Sequence, residues 1–272
     1  MTRLHPLLVL LLWLLAAFVI INLGPALLPL AGGTTRVEAV LWKLFGATLF
    51  LLASLYLLRR SRWGVCALGL RPTGRNFAWL LAGSAGGALL VVLWFAILRV
   101  LAPFHFEAGA ISPAGLGLSV LVYLFGALLE ELALRGYPLL RLKERYGAVR
   151  AVLAVSLAFG LLHLPGMTGA NALKVIVTTG LCSVIFSIAF LRSGTLWTAV
   201  GLHMAMNVVL HSLFGGGGGV GPSLLRTVFD GASPAAFDAG FWSLVAAALI
   251  VISALGLLWP PAAFKRRGSV LS

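Results

Sequence analysis

Long apolar runs alternate along the chain with short connections rich in arginine, glycine and proline. Eight runs stand out, at residues 4–30, 38–58, 76–101, 113–142, 148–164, 171–191, 195–214 and 239–259. Each reaches the ~17–25 residues that a helix needs to cross a bilayer. The first begins like a secretory signal, with Arg3 and His5 ahead of leucines. It is too long for the apolar region of a signal, and Gly24-Pro25 interrupts it only near its end, so it reads as a retained helix. The pattern predicts an all-α, polytopic transmembrane helical bundle of about eight spans. For description it divides into residues 1–112, the first three helices; residues 113–214, four helices; and residues 215–272. The last part holds a glycine-rich connection (Gly215 to Gly219), one more helix and a basic tail. The glycines make that connection a flexible linker.

Composition agrees with this reading. Of the 272 residues 61% are hydrophobic and 10% charged, against about a quarter charged in soluble domains, and the mean hydropathy is +1.06. The formal net charge is +13, but the basic residues cluster in short loops between the runs. That is the positive-inside pattern rather than a nucleic-acid surface. With both termini in the cytoplasm, fourteen of the 20 Lys and Arg fall on the cytoplasmic side and five on the other, Lys43 among them. Cys66 lies in a basic loop and Cys182 in an apolar run, a placement that indicates neither a disulfide framework nor a metal site.

One run does not fit lipid alone. Only seven residues of the chain are acidic, yet Glu130 and Glu131 stand side by side in an apolar segment, followed by Arg135. A charged side chain at the centre of a membrane helix costs ~2.5–3.5 kcal/mol on insertion scales. Such residues face the bundle interior and mark functional sites. Glu131 and Arg135 are spaced i,i+4 and can form a structural ion pair; Glu130 has no partner at helical spacing. Two other runs carry polar groups. The fifth has Phe159 and His163, the seventh has His203 and Asn207, and both pairs are spaced i,i+4 and share a helix face. If all three helices turn these groups inward, they converge on one internal site. Counted at 1.5 Å per residue from the expected cytoplasmic ends, Glu131 lies ~15 Å deep, His203 ~13 Å, Asn207 ~19 Å and His163 ~22 Å.

The chemistry that suits this set is hydrolysis. A glutamate within reach of water can act as general base, and two carboxylates in low dielectric cannot both ionise cheaply. His and Asn can donate to the oxyanion of a tetrahedral intermediate. A variant places a divalent metal such as zinc on Glu130, His163 and His203. The HExxH zinc signature and the GxSxG serine motif are both absent, and Ser156 and Ser183 show no nucleophile arrangement. Taken singly, a membrane His or Asn is an interhelical hydrogen-bond partner, and the case rests on the set. His5, His105 and His211 read as terminal, loop or interfacial residues. Trp197 reads as an interfacial anchor, and Gly136 and Gly160 as close-packing positions.

The three pieces Glu130-Glu131-x-x-x-Arg135, Phe159-x-x-x-His163 and His203-x-x-x-Asn207 resemble the motifs of the CPBP family. This is the group of CAAX prenyl endopeptidases and bacteriocin-processing or immunity proteins, also called ABI. Arg135-Gly136 after the acidic pair and Ser193-Gly194-Thr195-Leu196-Trp197 before the seventh run also resemble it. The resemblance covers about residues 115–214. It implies an intramembrane endopeptidase in which Glu130 activates the attacking water and His163 orients it. Glu131 and Arg135 would support the site, His203 and Asn207 would stabilise the oxyanion, and Phe159 would help position the substrate. The motifs leave metal use open; no cofactor is expected, and a metal-free reaction suits this sequence better than zinc, because Asn is a poor zinc ligand and Arg135 would sit beside the cation.

The expected substrate is a peptide or protein with a membrane-associated segment, prenylated (CAAX-type) or otherwise lipidated. The bilayer is the other partner, and nucleic acid is not one. Short loops and small size point to a bacterial plasma membrane. Two further readings stand against the protease: a non-catalytic immunity factor or scaffold, and a proton-coupled transporter. No inverted repeat or paired broken helices favour the transporter.

Overall fold

The computed structural model describes residues 6–23, 35–61, 64–216, 222–230 and 234–258. The expected roles of Arg3, His5, Gly24-Pro25, most of the glycine tract and the basic tail lie outside those residues. Nine α-helices are described: α1 (Pro6–Phe18), α2 (Arg36–Arg59), α3 (Gly74–Leu101), α4 (Pro113–Glu131), α5 (Tyr137–Tyr146), α6 (Ala148–Leu162), α7 (Gly169–Ser193), α8 (Leu196–Asn207) and α9 (Pro234–Leu258). Wider π-helical turns extend α1 (Val19–Leu23), join α4 to α5 (Leu132–Gly136) and extend α8 (Val208–Leu213). Among the described residues, six helical stretches are long and apolar enough to cross a membrane: Arg36–Arg59, Gly74–Leu101, Pro113–Tyr146, Gly169–Ser193, Leu196–Leu213 and Asp238–Leu257. Two apolar helices are shorter, Val9–Leu23 and Ala148–Leu162, and they fall on the first and fifth runs. The protein is an all-α, multi-pass membrane bundle.

Helix starts follow the local chemistry. Thr35 and Glu38 form a reciprocal capping box at α2. Ser112 accepts from the Gly115 amide ahead of α4, with Pro113 in the first turn. Thr73 caps α3 and Thr195 caps α8. Gly147, with φ of 84°, lets the chain turn sharply from α5 into α6.

Bare backbone sets the closest helix–helix contact among the described residues. A Cβ at Gly83, Gly87 or Gly201 would stand 2.2 Å from the carbonyl oxygen of Thr198, Leu202 or Leu80 respectively. Only glycine permits α3 and α8 to approach this closely, as small residues do in membrane interfaces. The same device places Gly160 of α6 against Ile176 of α7 and Gly136 against Ser54 of α2. Partner positions rise together in α2 and α4, so these helices run parallel. Arg36 donates to the Gly115 carbonyl (2.8 Å), Gly46 packs on Leu129, and Ser54 meets Gly136.

Two segments read as loops form a small sheet. Strand β1 (Phe104–Ala108) pairs antiparallel with β2 (Leu225–Phe229), with Phe104 opposite Phe229 and Glu107 opposite Arg226. Alternation places Phe104 and Phe106 on one face, where they join Phe95 and Phe214 in an aromatic cluster. The sheet ties the end of α3 to the segment after α8. Each strand is five residues and gains its apolar backing from other helices, so neither is legible as a strand in isolation.

Candidate active site

The acidic pair lies in the last turn of α4, where the regular helix gives way to the π-helical turn 132–136. Such turns recur at functional sites because the extra residue re-aims side chains and frees carbonyls. The Ala133 carbonyl accepts from Trp13 Nε1 at 2.6 Å, pinning α1 to the turn.

Glu131 and Arg135 are fully buried, and Arg135 Nη1 donates to Glu131 Oε1 at 3.2 Å. The ion pair expected from their spacing is present. Arg135 is also held by α7: Nε donates to Ser187 Oγ (3.2 Å), and Nη2 donates to the Ser183 carbonyl (3.0 Å) and to Ser183 Oγ. Its guanidinium lies 5.0 Å from the centre of the Phe159 ring and 5.6 Å from that of Phe186. A buried cation must be met by acceptors, and these residues supply at least one to each guanidinium nitrogen.

Two imidazoles complete the cluster. His203 Nδ1 lies 3.0 Å from Glu131 Oε1. His163 Nδ1 lies 2.8 Å from the Phe159 carbonyl. A carboxylate and a carbonyl only accept, so both Nδ1 atoms carry the proton and donate. Both rings therefore turn Nε2 toward Glu130, whose Oε2 stands 3.9 Å from His163 and 3.7 Å from His203. That oxygen is buried and has no protein hydrogen bond. Phe186 stacks on His203 at 4.7 Å and 15°, and Phe159 packs against His163 at 4.5 Å. His203 is almost closed off, whereas the His163 side chain is 33% exposed and the Glu130 side chain 14%. The cluster opens past His163.

Glu130, Glu131, Arg135, His163, His203 and Phe159 thus come together, despite the ~7 Å spread in depth between Glu131 and His163 counted along the sequence. Asn207 is half-buried one turn beyond His203 on α8, and among the described residues its side chain makes no hydrogen bond to the cluster. Three contributors had no sequence signal: Ser183, Ser187 and Phe186, all on α7. Ser183 does belong to the site, as an acceptor for Arg135. His105 is exposed but paired with Asp230, and His211 stacks on Tyr123. Trp197 donates to the Leu70 carbonyl at 3.4 Å.

A zinc ion ~2.1 Å from three tetrahedral donors wants them about 3.4 Å apart. Glu130 Oε2 is farther than that from both Nε2 atoms, and Arg135 lies alongside. No group of three or more His, Cys, Asp or Glu among the described residues is arranged to hold a metal ion.

No curated protein and no solved structure matches the chain. A family model does: residues 112–209 match the model described as Rce1-like, type II CAAX prenyl endopeptidase Rce1-like. The matched segment runs from the cap of α4 into the turn after α8 and contains every residue of the cluster. The similarity to the CAAX protease family spans α4 to α8.

Proposed function

We propose that the protein is an intramembrane endopeptidase that hydrolyses peptide bonds by water activated on Glu130. The observation that carries the reading is the buried, unbonded Oε2 of Glu130 facing the Nε2 atoms of His163 and His203, whose other nitrogens are already held. A water against these three groups can lose its proton to Glu130, the nearest base. His163 Nε2, with its Nδ1 proton on the Phe159 carbonyl, accepts the second hydrogen and aims the oxygen.

The water attacks the scissile carbonyl, and negative charge develops on its oxygen. His203, when doubly protonated, donates from Nε2 while Glu131 steadies Nδ1, and the Asn207 amide supplies the second donor from the same helix. The proton on Glu130 then passes to the leaving amine. Arg135 neutralises Glu131 and fixes its direction, which positions His203 in turn. Phe159 shapes the wall beside His163. No step in this scheme requires a metal, and cleavage is expected to survive EDTA.

The proposed substrates are peptides or proteins with a membrane-associated, lipidated (CAAX-type) segment. The proposed setting is a bacterial plasma membrane with both termini in the cytoplasm. Residues 113–214 are the proposed catalytic core, flanked by residues 1–112 and 215–272.

The test compares wild type and Glu130→Ala in nanodiscs, each incubated with prenylated CAAX peptides, double-glycine leader peptides and single-span peptides. Mass spectrometry reads the products. Cleavage by wild type alone supports the reading. Equal cleavage by both sinks it, and no cleavage by either shifts the weight to the immunity or scaffold role.

A further inference from the structure

Lys43 is the residue that the cluster leaves over. It lies in α2, seven positions beyond Arg36, and is half-buried inside a membrane-crossing helix. A lysine there is costly and normally pairs or reaches toward the interface. Lys43 makes no hydrogen bond or ion pair among the described residues. Its chain runs sideways over Gly126 of α4: Nζ, Cδ and Cε lie 2.8, 3.4 and 3.6 Å from where a Cβ at Gly126 would stand. Lys43 thus meets α4 at the level its helix already occupies, since Gly46, three positions on, meets Leu129.

Gly126 and Glu130 are spaced i,i+4 and share one face of α4. Helical side chains lean toward the N-terminus, so Glu130 leans toward the turn that Lys43 covers. The ammonium therefore stands about one helical turn, ~5.4 Å, from Glu130 along α4. Its field acts on Glu130 together with those of His203, His163 and Arg135. Arg135 and Glu131 neutralise each other, His163 and His203 face Glu130, and Lys43 is left with no bonded anion.

We propose that Lys43 binds a carboxylate of the peptide substrate, one to three residues beyond the attacked bond. A peptide residue spans at most ~3.3–3.6 Å, so a short leaving segment laid along α4 from Glu130 brings its carboxylate to Nζ. The lack of a side chain at Gly126 provides the notch in which the lysine lies. The chemistry is that of a charge-assisted hydrogen bond in a partly desolvated site. The carboxylate can come from the peptide C-terminus or from an acidic side chain. Lys43 would then select where the protease cuts, and this inference rests on the protease reading.

Binding tests it separately from cleavage. The background is the full-length Glu130→Gln protein in nanodiscs, with dansylated farnesyl-Cys-Val-Leu-Ser as probe. Three forms are compared: the free acid, the C-terminal amide, and the amide with Glu in the last position. We expect Lys43→Gln to weaken binding of the free acid at least ~10-fold, with the plain amide unchanged and Lys43→Arg restoring most of the affinity. Loss confined to the Glu-containing amide assigns the carboxylate to a side chain instead. Equal loss for all three forms marks Lys43 as a structural counter-charge and overturns the proposal, as does no loss at all. Gly126→Leu, which fills the notch and displaces the lysine, must reproduce the Lys43→Gln pattern. If wild type neither binds nor cleaves any of the peptides, the protease reading fails with it. If wild type cleaves while the acid and amide bind alike, the Lys43 assignment alone fails.

Discussion

Two clusters in this protein are built from nearly the same residues. Inside the bundle stand Glu130, Glu131, Arg135 and His203. At the two-stranded sheet stand Glu107, Asp230, Arg226 and His105. Arg135 and Glu131 are fully buried, whereas the Arg226 and Glu107 side chains are 68% and 41% exposed. In the sheet, water can replace any partner that leaves, and exposed pairs of this kind contribute little. In the bundle nothing replaces a lost partner, so each nitrogen of Arg135 meets a fixed acceptor, while Glu130 Oε2 is left without a protein hydrogen bond. Burial turns an ordinary charge set into a preorganised one, and the family match covers that cluster alone.

The same substitution in both places breaks the comparison most sharply. Glu130→Gln should lower cleavage by ~10²–10⁴-fold, the contribution of a positioned general base, while Glu107→Gln leaves the rate unchanged. Equal rates for wild type and Glu130→Gln in a peptide assay remove Glu130 as the base.

Stability gives the next largest contrast. Arg135→Met takes the counter-charge from buried Glu131 and leaves it only the His203 hydrogen bond; breaking a buried pair this way costs ~3–5 kcal/mol. A marked drop in the detergent melting temperature is expected, with partial recovery when Glu131→Gln is added. Arg226→Ala should leave the melting temperature where it is. Matching melting shifts for the two arginines would show that burial is not the difference.

A smaller effect separates the supports of Arg135. Ser187→Ala removes one hydrogen bond to a charged group, worth ~1.5–3 kcal/mol. It should lower kcat more than it raises KM, because the guanidinium loosens without leaving. A change in KM alone would place Ser187 in substrate binding instead.

The smallest effect is the pH response of the sheet. The hydrogen bond to Asp230 raises the His105 pKa above its usual value, with Glu107 adding to it and desolvation partly offsetting it. A group raised on folding stabilises fully below its unfolded pKa of about 6.5 and loses that contribution as pH climbs through the raised value. Amide exchange in Phe104–Ala108 should therefore, after correction for intrinsic rates, be faster at about pH 9 than at about pH 6. His105→Ala should abolish the difference.

The membrane class was readable from the residues alone, because long apolar runs admit few other structures. The sequence also singled out the acidic pair as a candidate site: two adjacent carboxylates in such a run need a reason, and the i,i+4 spacing named Arg135 as the partner of Glu131. The shared faces of Phe159 with His163 and of His203 with Asn207 were legible for the same periodic reason. The other members of the cluster emerged from packing between helices. Ser183 and Ser187 lie 48 and 52 positions from Arg135, on a helix whose serines look like those of any membrane segment. Lys43 counted merely as a charge on the wrong side until packing laid its chain over Gly126, on the face of α4 that carries Glu130. The strands at 104–108 and 225–229 needed each other, and a distant aromatic face, to exist at all. Periodicity fixes which way a side chain points from its own helix, and packing between helices fixes what it meets.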